Sequence, residues 1–169
     1  MAYKKTTIKE FDLNPFDSIG EGWLLITGYK DGVVNTMTAS WGGLGILWSK
    51  PVATVFVRPE RYTKEFIDQT DYFTITFFNG YKKELGILGT KSGRDGDKIK
   101  EVDFHVEMIE DLPSFQEGTH MMICKKLYVD SLKQEKFLDQ SIFTKNYTKG
   151  GIHDMYIAQI ESIYQNIEE

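Results

Sequence analysis

The residues best equipped for chemistry fall in three polar, glycine-bearing segments. In VVNTMTASWGGLGILW, residues 33–48, the hydroxyls of Thr36, Thr38 and Ser40 alternate with Asn35, Met37, Ala39 and Trp41, and Gly42, Gly43 and Gly45 follow. In VRPERYT, 57–63, Arg58 and Arg61 flank a proline just before an expected helix start. Free N–H groups and the positive dipole end make such a start receptive to an anion, and either arginine adds charge. In GTKSGRD, 89–95, Lys91 and Arg94 are spaced by small residues that leave backbone N–H groups accessible. Each segment alone has an ordinary reading: a solvated strand face, surface ion pairs, a mobile polar loop. All three in one small domain point to a single flat, phosphorylated ligand.

Other chemistries lack their residues. No glycine pattern of the dinucleotide-binding or P-loop kind lies between a strand and a helix. His105, His120 and His153 are far apart in sequence, and no zinc-protease histidine pair or serine nucleophile elbow is present. The lone cysteine, Cys124, excludes an intramolecular disulfide and disfavours a cysteine-built metal site; within MMICKKLYV it reads as a small buried hydrophobe. No metal site is expected.

The elements that must position these segments are mostly strands. Residues 23–29 alternate as a strand, and Lys30-Asp31-Gly32 supplies a tight hairpin turn whose second arm is the hydroxyl-bearing stretch. After a glycine loop, 52–57 is a short apolar run that reads as a buried strand. The period changes over 61–70, where Tyr62, Phe66 and Ile67 share a helical face and Thr63 is the expected N-cap. Strand alternation returns at 71–78, 104–110, 119–132 and 151–166. Short helical pieces are expected at 81–90 and 134–141, with a polar loop over 89–98. Six or seven strands and a few short helices predict a mainly β, antiparallel barrel forming a single domain over 1–169.

Composition narrows the class further. At 169 residues the chain can bury a proper core, and 11 Phe, 9 Tyr and 3 Trp favour β-structure or an aromatic-lined pocket. The net charge of −5 argues against a nucleic-acid binder, although the aromatics of DYFTITFF could in principle stack bases. No apolar run approaches the roughly 20 residues that span a bilayer, and no secretory signal is evident. A cytoplasmic location, with no membrane or nucleic-acid partner, is the expectation.

Taken together, NTMTASWGGLG, KPVATVFVRPERYTKEFI, GTKSGRDGDKI and GGIHDMYIAQI resemble, in order and spacing, the flavin reductase-like, FMN-binding split-barrel family. The resemblance runs from about Ile26 to the C-terminal third. It implies a homodimeric split β-barrel with non-covalent FMN near the dimer interface. Carried over by position, it implies that Asn35, Thr38, Ala39, Ser40 and Trp41 line the flavin, with the small hydroxyl-bearing strand lying along the ring and Trp41 covering part of it. It further implies that Arg58, Tyr62 and Thr63 hold the phosphate or ribityl chain, and that Lys91, Ser92 and Arg94 close over the phosphate. His153 would stand near the ring, facing nicotinamide or serving only structure. The implied activity is hydride transfer from NAD(P)H to FMN and onward to a flavin, a protein or a small acceptor. No catalytic side chain is required, since the cofactor carries the reactivity. The alternative is an FMN-containing electron carrier or flavin-binding module without NAD(P)H reductase activity.

Overall fold

The computed structural model describes residues 3–167. Among these residues ten strands, all paired antiparallel, carry the fold. In chain order they are β1 (Tyr3–Thr6), β2 (Leu24–Lys30), β3 (Val33–Ala39), β4 (Gly42–Leu47), β5 (Lys50–Val57), β6 (Tyr72–Phe77), β7 (Val106–Ile109), β8 (Leu112–Phe115), β9 (His120–Ser131) and β10 (Asp154–Asn166). The helices are α1 (Tyr62–Asp68), α2 (Lys82–Thr90), α3 (Lys98–Glu101) and α4 (Gln140–Asn146), with a π-helical turn at Phe16–Glu21 and a 3-10 turn at Gln134–Lys136. Among the described residues no helix is long and apolar enough to cross a membrane.

The main sheet runs β3-β2-β6-β9-β10-β5-β4, with β1 added to the end of β10. Its two end strands are neighbours in sequence, since only Ser40 and Trp41 separate β3 from β4. Three Cα steps span at most about 11 Å, so the sheet must curl until its edges nearly meet. The edges do not hydrogen-bond to each other, which leaves an almost closed barrel with a seam at Ser40-Trp41. Strand β10 is the spine. Two irregularities, at Ile157/Ala158 and Ile160/Ser162, bend it along β9, and its other side serves β5 first and β1 later.

Three two-residue hairpins, two in the main sheet and one forming the separate β7-β8 pair, explain what the sequence pattern shows and hides. Asp31-Gly32 has φ of 52° and 80°, the doubly positive turn that Asp-Gly favours. Trp48-Ser49 joins β4 to β5 and Glu110-Asp111 joins β7 to β8 in the same conformation, without any glycine. Without that signal the expectation of six or seven strands missed β4, β8 and the N-terminal β1. The supposed glycine loop is strand β4. Its first residue, Gly42, has φ of 148°, and a Cβ there would lie 2.7 Å from the Thr54 carbonyl oxygen.

Inside the barrel the core gathers Ile26, Met37, Val55, Phe73, Ile75, Met122 and Tyr156. A second core, with Leu25, Phe78, Leu85, Leu88, Phe104 and Phe115, lies between the opposite face of the sheet and α2. Cys124 is fully buried in the barrel core, where desolvation pushes its thiol pKa well up. The first turn of helix α1 is bound to the sheet twice. Asn35 Nδ2 donates to Thr63 Oγ1 at 2.7 Å, and Lys64 pairs with Asp154 on β10 at 2.9 Å. Thr63 is therefore not the N-cap; Arg61 holds that position without a side-chain cap bond, and the Thr63 hydroxyl is buried against β3.

Gly28 of β2 is where α1 comes closest, for a Cβ there would stand 2.5 Å from Phe66 Cβ. Replacing Gly28 by Ala should destabilise the protein by about 1–3 kcal/mol through overpacking. Relieving the left-handed strain with Ser49→Gly should stabilise it by up to about 1 kcal/mol. Urea unfolding midpoints check both signs.

Candidate functional site

A run of cavities follows β3 along its length. One, about 440 Å³, is lined by Asn35, Met37, Arg58, Arg61, Tyr62, Thr63, Lys91, Ser92, Gly93 and Lys98 among others. The next, about 190 Å³, shares Met37, Arg58 and Arg61 and continues past Thr38, Ala39, Ser40 and Trp41 to Phe56 and His153. The curl of the sheet explains the placement. As an end strand, β3 pairs with β2 alone, so its other backbone edge is left for whatever fills these cavities.

The structure corrects the reading of the hydroxyl row. The Thr36 hydroxyl is fully buried against Thr27 Oγ1 at 2.9 Å and the Ile26 carbonyl at 3.1 Å. The Thr38 hydroxyl donates to the Leu85 carbonyl of α2. Both side chains therefore anchor the strand to the protein, on the face opposite Met37. Along β3 the cavities are bordered by Asn35, Met37, Thr38 and Ala39, by the seam residues Ser40 and Trp41 and by the free backbone edge, while the Thr36 side chain is turned away.

The 89–95 segment reaches β3 because two of its residues lack side chains. A Cβ on Gly89 would lie 3.0 Å from Thr38 Cβ, and one on Gly93 would lie 2.0 Å from Asn35 Oδ1. The charges of the segment, however, divide. Lys91 is ion-paired with Glu101 and Arg94 with Glu65, and the Arg94 guanidinium lies 4.7 Å from the Tyr62 ring centre. Lys91 still borders the larger cavity, as does Ser92, whose Oγ accepts from Arg94 N at 3.2 Å; Arg94 is not among the lining residues. Its reach over a phosphate would require exchanging Glu65 for the ligand.

The cations that do converge are Arg58, Arg61 and Lys98. Arg58 donates to the carbonyls of Asn146 at 2.7 Å and Gly151 at 3.3 Å, with its guanidinium 5.0 Å from the Tyr147 ring centre. Arg61 donates to the Gly89 carbonyl. Lys98, 5% exposed, donates to the carbonyls of Leu88 at 2.7 Å and Lys91 at 2.9 Å. None of the three takes part in an ion pair among the described residues. Burial, then the Arg61 charge, lower the Lys98 pKa to about 8, while burial and Arg58 lower that of Arg61. Desolvated like charges satisfied only by carbonyls form a ready anion receptor. Lys98 escaped sequence reasoning because a lysine in a polar loop carries no sign that packing will bury it. Arg61 was seen only as a companion of Arg58.

At the seam end the side chains are aromatic. His153 is buried, with its ring centre 5.3 Å from that of Trp41 and 5.5 Å from that of Tyr147, and its Nδ1 is 2.7 Å from the Tyr147 hydroxyl. Burial, followed by Arg58 and Arg61, holds the His153 pKa down to about 4. The imidazole is therefore neutral near pH 7. Among the described residues no group of three or more His, Cys, Asp or Glu is placed to hold a metal ion.

The same fold occurs in solved structures. An FMN-binding domain of a flavin reductases-like enzyme from Shewanella baltica OS155 superposes with a TM-score of 0.69 at 18% identity, over 97% of this chain and 77% of that one. Flavoredoxin of Desulfovibrio vulgaris (Miyazaki F) gives 0.68 at 19% identity, over 97% and 78%. The styrene monooxygenase flavin reductase from Pseudomonas putida S12 gives 0.65 at 14% identity, over 88% and 81%. No protein-family model and no curated protein matches the sequence. The fold is thus that of the flavin reductase-like, FMN-binding proteins, as the sequence resemblance implied.

The neutral, buried His153 has a consequence for stability. Its folded pKa lies below the unfolded value of about 6.5, so the unfolded chain binds the extra proton. Its contribution is intact above about pH 6.5 and is lost as the pH falls toward 4. Urea unfolding between pH 7 and pH 4 should show a weaker acid dependence in His153→Gln than in the wild type. The comparison also removes the share of His120, whose pKa burial lowers in the same direction.

Proposed function

We propose that the chain is an FMN-binding oxidoreductase that takes hydride from NAD(P)H and passes electrons to a flavin, a protein or a small acceptor. The observation that carries the reading is a pair of adjoining cavities along the free edge of β3, which share Arg58 and Arg61, with Lys98 on the first and the rings of Trp41, Phe56 and His153 on the second. The residues present fit FMN. A phosphate monoester matches Arg58, Arg61 and Lys98, with Ser92 and Lys91 beside them, and the ribityl chain would pass Tyr62, Thr63 and Asn35. The edge of a flat ring needs both donors and acceptors, which the backbone of residues 37–41 can offer together. Solved proteins of this fold that are described as FMN-binding support the cofactor, and those described as flavin reductases support the activity.

When bound, FMN supplies hydride acceptance and electron transfer. The protein supplies binding and orientation. Arg58 also fixes the 146–151 segment through its two carbonyl bonds, which keeps Tyr147 and His153 in place at the ring end. Neutral His153 adds no charge beside the ring, so the nicotinamide would be met by aromatic and uncharged surfaces. The apolar side chains of Trp41, Ile46 and Trp48, exposed at and beside the seam, support a homodimer in which a second copy covers this end.

Anaerobic mixing of the FMN-loaded protein with NADH or NADPH should bleach the flavin spectrum; no bleaching by either would overturn the reductase reading. Lys98→Met should weaken FMN by about tenfold to a hundredfold through loss of a charge-assisted bond, and leave riboflavin, which has no phosphate, nearly unaffected. Wild-type FMN affinity should also fall at alkaline pH as Lys98 loses its proton. Calorimetric titration with both flavins reads these effects.

A further inference from the structure

The stretch from Lys133 to Lys149, which carries the 3-10 turn and α4, is folded although none of its residues is buried. It is held together by its own rings: Phe137, Phe143 and Tyr147 have ring centres 5.6 to 5.9 Å apart. Arg58 ties its end to the barrel through the Asn146 carbonyl and the Tyr147 ring.

The outer surface of this stretch is basic, in a chain whose net charge is −5. Lys133, Lys136, Lys145 and Lys149 are exposed, and none of them takes part in an ion pair among the described residues. Of its two carboxylates, Asp139 is already engaged as the N-cap of α4, accepting from Ser141 N at 2.9 Å. Between the two pairs of lysines in the chain, Leu138 is fully exposed and Ile142 is 49% exposed. Helical spacing puts Lys145 one turn from Ile142. Unpaired cations bordering exposed apolar side chains suit a partner surface that is acidic with an apolar centre. A second copy meeting this stretch about a two-fold axis would set lysines against lysines. A bilayer needs a larger apolar face than Leu138 and Ile142 provide.

The inner end of the stretch limits what such a partner can exchange. The Tyr147 hydroxyl lies 2.7 Å from His153 Nδ1, and His153 lines the ring-end cavity. A protein docked outside these two rings stands too far away for hydride transfer, which needs reacting atoms about 3–3.5 Å apart. Single electrons can cross such a layer.

We propose that residues 133–149 are the docking surface for an acidic, one-electron carrier protein, with Leu138 and Ile142 as its apolar contact and the four lysines steering the approach. The electron exchange rests on the FMN reading above; the docking does not. Each reduced flavin gives one electron to each of two oxidised carriers and its protons to water.

The probe is an acidic plastocyanin, a one-electron copper protein, with basic cytochrome c as the carrier of opposite charge. Each is mixed in its oxidised form, by stopped flow, with the FMN-loaded, photoreduced chain. In Lys133→Gln/Lys136→Gln/Lys145→Gln, plastocyanin reduction should slow about tenfold at about 20 mM NaCl, and the wild-type advantage should vanish at about 300 mM. Cytochrome c reduction should not slow. Leu138→Ser should slow plastocyanin at both salt concentrations, and bleaching by NADH should be unchanged in both variants. Equal plastocyanin rates in wild type and triple variant overturn the proposal, as does equal slowing with cytochrome c. A change of oligomeric state in Leu138→Ser, read by size-exclusion chromatography, gives the surface to a second copy, and Leu138-dependent sedimentation with phosphatidylserine vesicles gives it to a membrane; either overturns the proposal. If the chain does not hold FMN, calorimetric plastocyanin binding that salt and the triple variant both abolish supports the docking, and only the flavin reading falls.

Discussion

The two-residue link between β3 and β4 is the constraint on which this structure turns. Seven strands in hydrogen-bonded succession would make an open, twisted sheet if the ends were free. Here the ends are joined through Ser40 and Trp41, and a sheet whose edges are tied so closely must curl. The curl encloses the apolar face as the barrel core. It also leaves β3 as an end strand with a backbone edge that no other strand takes. The cavities lie along that edge, and Trp41, part of the link itself, borders one of them. Fold and site therefore share one cause.

Electrostatics supplies the second organising element. Arg58, Arg61 and Lys98 come from two chain segments and are partly or wholly removed from water. They are held by carbonyl oxygens rather than carboxylates. This arrangement preserves their charge for an external anion, because a paired carboxylate would already have neutralised it. Lys91 and Arg94 illustrate the other outcome: exposed, they find Glu101 and Glu65, as surface cations commonly do. The close approach of Gly89 and Gly93 to β3 brings both groups of charges to the same wall.

Much of the barrel was legible in the sequence because local physics left clear marks. Alternation identified β2, β3, β6, β9 and β10, and Asp31-Gly32 announced its own hairpin. Strand β4 was hidden because its glycines read as loop and its turn, Trp48-Ser49, pays a conformational cost that composition does not reveal. Thr63 looked like an N-cap by type and position, yet its hydroxyl serves a contact with Asn35, a residue 28 positions earlier. The hydroxyls of Thr36 and Thr38 looked like a ligand-facing row, but α2 and β2 claim them.

By itself, the sequence determined a β-rich domain of a recognisable kind and marked the segments that border the site, since periodicity, turn chemistry and motif order are local properties of the chain. Only the tertiary structure decided which side chains in those segments face the cavities. A strand presents alternate residues to opposite sides, and which side is interior depends on partners far away in sequence. The same holds for charge. Arg94 and Lys98 lie four residues apart, one in a polar loop and the other at the start of α3, and packing buries Lys98 beside two carbonyls while leaving Arg94 to an exposed glutamate.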